Sequence, residues 1–463
     1  DEGHSERMAA MRLLVTVALL GACLGMACAR GHAQEVAETL SLEQAIALAL
    51  THNPQVGAAE DGVRETQWRL TQARSLLLPR VSMNARRMTP VNLPDFSFQS
   101  RETTWETDLS LTQPLYTGGS IQQGIAAARD YLRGSEGAYR RTQQEIAFAV
   151  RQSYYRVLTA EEGVNVAAEV VASVREHLRV ARLRFQAGLA PQFDVLAAEA
   201  RLARVEQGLI AAQAERSIAW AALSAVLGRP VPEGTQLTTP RPVSIEEADV
   251  ESLKQEALEK RPDLLAMEAR ATAAGAEVRI AQAQRQPSVA ANISYTLRDD
   301  VTIAGEAFGL PGQELVVAQD SGYILLVVSW SLFNGGQVHG EIRAAQARMD
   351  QAAKLLESQR QRIELEVKSA YLQLEAARAQ VAAAQKEVEQ AQEAHRIATL
   401  RYEEGVGTSV EILDAEASLE GAKTRLNGAI YGLNLAVAQL DLAVGRDWHE
   451  GLATTSELEA VGG

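Results

Sequence analysis

From Ile363 onward, apolar or small residues recur at alternating spacings of four and three: Val367, Ala370, Leu374, Ala377, Val381, Ala384, Val388, Ala391, His395, Ala398 and Tyr402. A seam of this period predicts a long α-helix packed lengthwise against another. The same seam stands 217 residues earlier, at Ile146, Val150, Ser153, Val157, Ala160, Val164, Ala167, Val171, Val174, Leu178, Ala181 and Phe185. Leu365, Leu372, Ala376, Ala379 and Ala383 add a second apolar face to the later helix. A helix with two such faces touches neighbours on both sides, as in a wall of helices.

Between the helical stretches the period drops to two. Val289, Ala291, Ile293, Tyr295 and Leu297 alternate with Asn292, Ser294, Thr296 and Arg298, and Trp105, Leu109, Leu111 and Leu115 alternate with Glu106, Asp108, Ser110 and Thr112. Tyr323 to Phe333 forms the matching second-half strand, although Ile324 to Val328 is more uniformly apolar. Val81, Met83 and Ala85 open the weakest strand, because Arg86 and Arg87 follow directly. Segments of about ten residues with one apolar and one polar face suit a membrane barrel with a wet interior; the edge of a soluble β-sandwich is the competing reading. Four strands cannot close a barrel, for which about eight is the practical minimum, and an open edge cannot face lipid. A membrane reading therefore requires several chains to pool their strands. Trp105, Trp330 and Tyr295 are candidates for an aromatic girdle or for ordinary packing.

The chain is written twice. Asn53-Pro54 and Leu78-Pro79-Arg80-Val81 reappear 208 residues later as Arg261-Pro262 and Gln286-Pro287-Ser288-Val289. Leu115-Tyr116-Thr117-Gly118-Gly119, Arg184-Phe185-Gln186-Ala187-Gly188 and Leu227-Gly228-Arg229 return at an offset of 217, as Leu332-Phe333-Asn334-Gly335-Gly336, Arg401-Tyr402-Glu403-Glu404-Gly405 and Val444-Gly445-Arg446. The extra residues of the second copy fall between its two strands, where a loop tolerates insertion. The first unit is expected over 34–233, with helices about 41–78 and 118–227 and strands about 80–88 and 104–116. A linker over 234–246 leads to a second unit over 247–446, with helices about 247–286 and 336–444 and strands about 288–298 and 323–333, then a tail over 447–463. The fold class is mainly α with a membrane β part, two repeats per chain.

Composition narrows the function. Aromatics make up 5% of the chain and there are 13 Pro, so the apolar content is carried by Ala, Leu and Val among Glu, Gln and Arg, which suits long packed helices. The net charge of −14 provides no basic stripe for nucleic acid. Arg12, the apolar run Leu13 to Leu20 and the small residues ending at Ala33 read as a secretory signal over 1–33, with the residues before Met8 an over-extended start. Both cysteines, Cys23 and Cys28, lie within it, so cleavage after Ala33 leaves no thiol for a disulfide, metal or nucleophile. The alternative takes Leu20-Gly21-Ala22-Cys23 as a lipoprotein box with Cys23 lipidated. No later segment reaches about 18 consecutive apolar residues, so no helix is expected to span a bilayer. The histidines lack ligand spacing, with His395 expected as a packed seam residue, and no catalytic arrangement or phosphate loop stands out. No enzyme, cofactor or metal site is expected.

Three further runs carry a resemblance. Leu42-Glu43-Gln44-Ala45-Ile46-Ala47-Leu48-Ala49-Leu50 precedes Asn53-Pro54, and Pro114 to Gly119 reads Pro-Leu-Tyr-Thr-Gly-Gly. The paired tips are followed by Asp194-Val195-Leu196-Ala197-Ala198-Glu199 and by Glu411-Ile412-Leu413-Asp414-Ala415-Glu416. In this order, and twice, these runs resemble the TolC-like outer-membrane efflux family over nearly the whole mature chain. The resemblance implies a homotrimer whose strands form one twelve-stranded β-barrel in outer-membrane lipid, continued into the periplasm by a twelve-helix α-barrel. It implies a passive exit duct of a tripartite efflux or type I secretion system, docked to a periplasmic adaptor and through it to an inner-membrane pump. By the same resemblance, Gly188, Leu189, Val195, Leu196, Gly405, Val406, Ile412 and Leu413 are adaptor-contact positions; for the glycines a plain structural turn is the alternative. Glu411 and Asp414 match acidic positions at the periplasmic constriction, with a helix cap and a solvated charge as alternatives. Asp194 and Tyr402 match a gate link, and Gly407 departs from the family by lacking the arginine expected there. A periplasmic coiled-coil adaptor, or a coiled-coil scaffold without a pore, is the competing class; two hairpins and four membrane-type strands argue against both.

Overall fold

A computed structural model describes residues 39–89, 104–232, 234–239, 249–298, 302–304, 314–316 and 320–447. The signal, Cys23, most of the linker and nearly all of the tail lie outside the described residues. Eight helices are described: α1 (Leu42–His52), α2 (Pro54–Ser75), α3 (Ser120–Gln186), α4 (Gln192–Leu227), α5 (Val250–Lys260), α6 (Pro262–Ala283), α7 (Gln337–Glu403) and α8 (Ser409–Val444). The strands are β1 (Thr39–Leu40), β2 (Arg80–Met88), β3 (Thr104–Tyr116), β4 (Gln236–Leu237), β5 (Ser288–Arg298), β6 (Thr302–Ala304), β7 (Glu314–Val316) and β8 (Ser321–Ser329). The parallel pair β1–β4 belongs to a small unit of its own, and the remaining elements form the second.

Each expected first helix is divided at its proline, because Pro54 and Pro262 lack an N–H to donate and each starts a new helix at its first turn. The lengths run in parallel: 11 and 22 residues for α1 and α2, 11 and 22 for α5 and α6. The long helices α3 and α7 have 67 residues each, and α4 and α8 have 36 each. One joint recurs as well. The Asn53 side chain caps α2 and donates to the Val226 carbonyl at 2.7 Å, and Arg261, just ahead of α6, donates to the Ala443 carbonyl at 3.1 Å. Arg261 also holds Asp263 through two bonds, at 3.0 and 2.7 Å, and Glu366 at 2.7 Å.

The main sheet has the order β2–β3–β5–β8, antiparallel throughout, so β2 and β8 are its free edges. Val81, Leu111, Ile293 and Ile324 stand in one cross-strand row, and Ser82, Ser110, Ser294 and Tyr323 in the next. Alternation along β2, β3 and β5 thus becomes one apolar and one polar face of the sheet, while β8 carries Tyr323, Leu325 and Val327 onto the polar side as well. The arginines that made β2 look weak have partners: Arg86 donates to Glu106 at 3.1 and 2.7 Å, and Arg87 lies over the Trp105 ring. The last strand starts at Ser321 and ends at Ser329, earlier at both ends than the alternation suggested. Its partner β5 begins at Ser288, opposite Ser329, so Trp330 and the residues after it have no strand to pair with. Trp330 instead donates its indole N–H to the Arg285 carbonyl. The short hairpin β6–β7 lies in the loop that carries the insertion, and no apolar alternation announces it.

Nearest the sheet the helices run side by side as α2, α3, α6, α7; toward the hairpin turns they run as α4, α3, α8, α7. The seam is the core of this layer. Ile363, Val367, Ala370 and Leu374 are buried with Leu440 and Ala443, and Val171 and Val174 are buried against Val205. The second face of α7 is open, with Leu365 67% and Leu372 56% exposed. Among the described residues no helix is long and apolar enough to cross a membrane.

Candidate functional site: the hairpin tips

The two long hairpins reverse in the same way. At the end of α3 the Gly188 N–H donates to the Phe185 carbonyl and the Leu189 N–H to the Arg184 carbonyl; at the end of α7 Gly405 donates to Tyr402 and Val406 to Arg401. This crossed pair closes a helix only around a residue of positive φ, which Gly188 (φ 72) and Gly405 (φ 76) supply without strain. After the turn the copies differ. Thr408 caps α8, accepting from the Glu411 N–H at 3.4 Å, whereas Pro191 begins α4 with no side-chain cap.

Of the adaptor-contact positions, Gly188, Leu189, Leu196, Gly405 and Val406 are exposed, while Val195 and Leu413 are half-buried. Ile412 is a correction: it is 6% exposed and packs with Ala398 and Tyr402, so its side chain is core rather than contact surface. Phe193 and Val410, not singled out from the sequence, add exposed apolar surface here. Each follows a turn directly, which is the signal that could have found them.

Glu411 and Asp414 are both exposed. Glu411 stands at the third position of α8, where the helix N-terminus favours an anion, and Arg401 Nε is 3.6 Å from its carboxylate. The cap itself is Thr408, so the capping alternative holds only in part.

Asp194 and Tyr402 are near each other without a hydrogen bond between them: Tyr402 is buried, and its hydroxyl has no partner among the described residues. Burial, and after it the charge of Asp194, push the phenol pKa up. At position 407, where the resemblance implies an arginine, a side chain would be crowded. A Cβ on Gly407 would stand 3.0 Å from the Arg401 carbonyl carbon and the Tyr402 nitrogen, and the Gly407 N–H is used by the Arg401 carbonyl. An arginine of the first hairpin does reach this tyrosine. Arg184 places its guanidinium 4.7 Å from the Tyr402 ring centre and donates to the Tyr402 carbonyl at 2.6 Å. His177 packs on the same ring and shares a 2.9 Å hydrogen bond with Ser409 at the start of α8. Burial pushes the His177 pKa down, against the pull of Asp194. The buried histidine of the tip is thus His177, and His395 is only half-buried. Neither Arg184 nor His177 was legible, because each acts on the other repeat, 218 and 232 residues away. Among the described residues no His, Cys, Asp and Glu side chains group as metal ligands.

The family model described as "Outer membrane efflux protein" matches this chain twice, over residues 45–229 and 253–446. Protein CyaE of Bordetella pertussis is 27% identical, over 82% of this chain and 78% of its own length. The pyoverdine export outer membrane protein OpmQ of Pseudomonas putida is 25% identical, over 82% of this chain and 80% of its own. In fold, the chain is similar to the outer membrane protein VceC of Vibrio cholerae, with a TM-score of 0.72 and 22% identity over 88% of this chain and 96% of that one. With both copies of the strand-and-hairpin unit matched by one family model, the chain belongs to the outer membrane efflux protein family, and its place is the outer membrane.

Proposed function

We propose that three copies of this chain assemble into a passive exit duct for efflux or secretion. Each chain supplies four strands to a twelve-stranded barrel and a sheet of helices to a periplasmic α-barrel. The observation that carries the reading is that both layers stop open at the same places. Among the described residues the sheet ends in the free edges β2 and β8, and the helical layer ends in an α7 whose second apolar face has no neighbour. An open strand edge is untenable in lipid, and exposed leucines in helical register call for another helix. A neighbouring chain related by rotation satisfies both, since it presents β2 to β8 and its α2 and α4 to α7.

In this duct the apolar sheet face meets outer-membrane lipid and the polar face lines the lumen. The tips are the entrance, where the exposed Leu189, Leu196 and Val406 dock a periplasmic adaptor that links the duct to an inner-membrane pump. Glu411 and Asp414 from three chains ring the constriction, attracting cations at short range. Opening separates the hairpins where Arg184, Tyr402 and His177 now hold them. The test is the ion preference of purified protein in a planar bilayer. Stepwise conductance with a cation preference is expected, and the Glu411→Ala, Asp414→Ala double variant is expected to conduct with that preference reduced or lost. Unchanged selectivity would remove the ring from the account.

A further inference from the structure

The two hairpins treat one carboxylate differently. In the first, Glu199 of α4 stays near the surface and pairs with Arg182 of α3 at 2.7 Å. The residues 217 further on are Glu416 of α8 and Thr399 of α7, so the arginine has no counterpart, and the Thr399 hydroxyl donates to the His395 carbonyl of its own helix. Without that cation the glutamate turns inward: Glu416 is 4% exposed, and among the described residues neither carboxyl oxygen makes a hydrogen bond of good geometry, the Ser173 hydroxyl approaching without completing one. The groups facing it are Ser173 from α3, Arg201 from α4, His395 from α7 and Glu420 one turn along α8. Arg201 is committed elsewhere, pairing with Glu420 at 2.9 Å. Its own Nε is buried and unpartnered.

An ionised carboxylate is costly in such a place, and a neutral carboxyl much less so. Burial raises the Glu416 pKa, and Ser173, His395 and Arg201 only partly reverse it. We propose that Glu416 is a proton latch between the two hairpins, its carboxyl protonated while α3 and α8 are packed together and ionised once they part. On parting, water reaches the side chain and takes the proton. The inference rests on the duct reading, in which parting of the hairpins widens the entrance. Its sign follows from the raised pKa. The latch is complete below the ordinary carboxyl range, about pH 4, and is lost as pH rises through the raised value. His177, with its lowered pKa, acts in the opposite sense and weakens its contact on acidification, so the wild type alone cannot isolate Glu416.

The test is hydrogen exchange of the purified full chain from about pH 4, the ordinary carboxyl range, upward to about pH 8, corrected for intrinsic rates and read on peptides covering 170–180 and 412–420. Opening in the wild type is expected to grow by up to tenfold per pH unit across the titration, as one proton per chain requires. Glu416→Gln is expected to remove that dependence and hold the hairpins closed, and Glu416→Leu provides the same comparison should the glutamine variant fold poorly. A variant with the wild-type pH dependence would overturn the latch. Exchange reads hairpin packing whether or not the protein conducts, so a wild type without conductance would refute the duct while the exchange result still decides the latch.

Discussion

Arg261 is 2% exposed, yet it is a cation, and its guanidinium is the meeting point of α6, α7 and α8 through Asp263, Glu366 and the Ala443 carbonyl. Burial raises the Asp263 pKa, but the hydrogen bonds and charge of Arg261 lower it further, so the carboxylate stays ionised and paired at neutral pH. Arg261→Ala removes the cation between the two carboxylates and leaves Asp263 with Gln359 and Glu366 with Arg362 as their remaining partners. A loss of about 3 kcal/mol is expected, the lower end of the range for breaking a buried pair because Glu366 is partly open to water. Chemical denaturation in detergent measures it; a shift below about 0.5 kcal/mol, the scale of an ordinary surface substitution, would contradict the assignment. The residue's position was legible as the repeat of Asn53 before a proline. Its partners were not, since Asp263 alone is local and the others lie 105 and 182 residues away. The same divide runs through the tips: the turn glycines follow from the repeat and the two exposed acids from the resemblance to the family, whereas the contacts of Arg184, His177 and Glu416 come from the other repeat.

The turns at Gly188 and Gly405 were legible because one residue type decides the backbone there, whereas the breaks at Pro54 and Pro262, decided in the same way, fell inside helices expected to be continuous. Elements were less legible where a partner decides. The end of β8 is set by the start of β5, and β2 persists through Arg86 and Arg87 because Glu106 and Trp105 stand opposite. The second face expected on α7 from Leu365 and Leu372 has no neighbour among the described residues, where only the first face is covered. Placing arginine at both positions costs the isolated chain little, since both side chains already face solvent there. In the assembly it forces two cations into an apolar contact. Leu365→Arg, Leu372→Arg is therefore expected to yield protein of wild-type helical content by circular dichroism that sediments as single chains. A variant that remained trimeric would show that this face is not the contact between chains.

At the scale of the molecule, the account rests on closure. A four-stranded sheet with an apolar face and two free edges is an incomplete object in a membrane, and the helical layer beneath it is incomplete at corresponding places. Duplication within the chain explains why the incompleteness takes this form: two strand-and-hairpin units give an arc, and only rotation of whole chains closes it. The number three came from resemblance to the family and not from the heptads, which set how helices pack and not how many surround the lumen. The most direct test is the native mass of the protein extracted from outer membranes, with a disulfide engineered between the edge strands β2 and β8 as covalent record. The account predicts a complex of three chains, in which the disulfide joins different chains and converts monomer to trimer on a denaturing gel. A single chain in the native measurement, or a disulfide formed only within one chain, would contradict it.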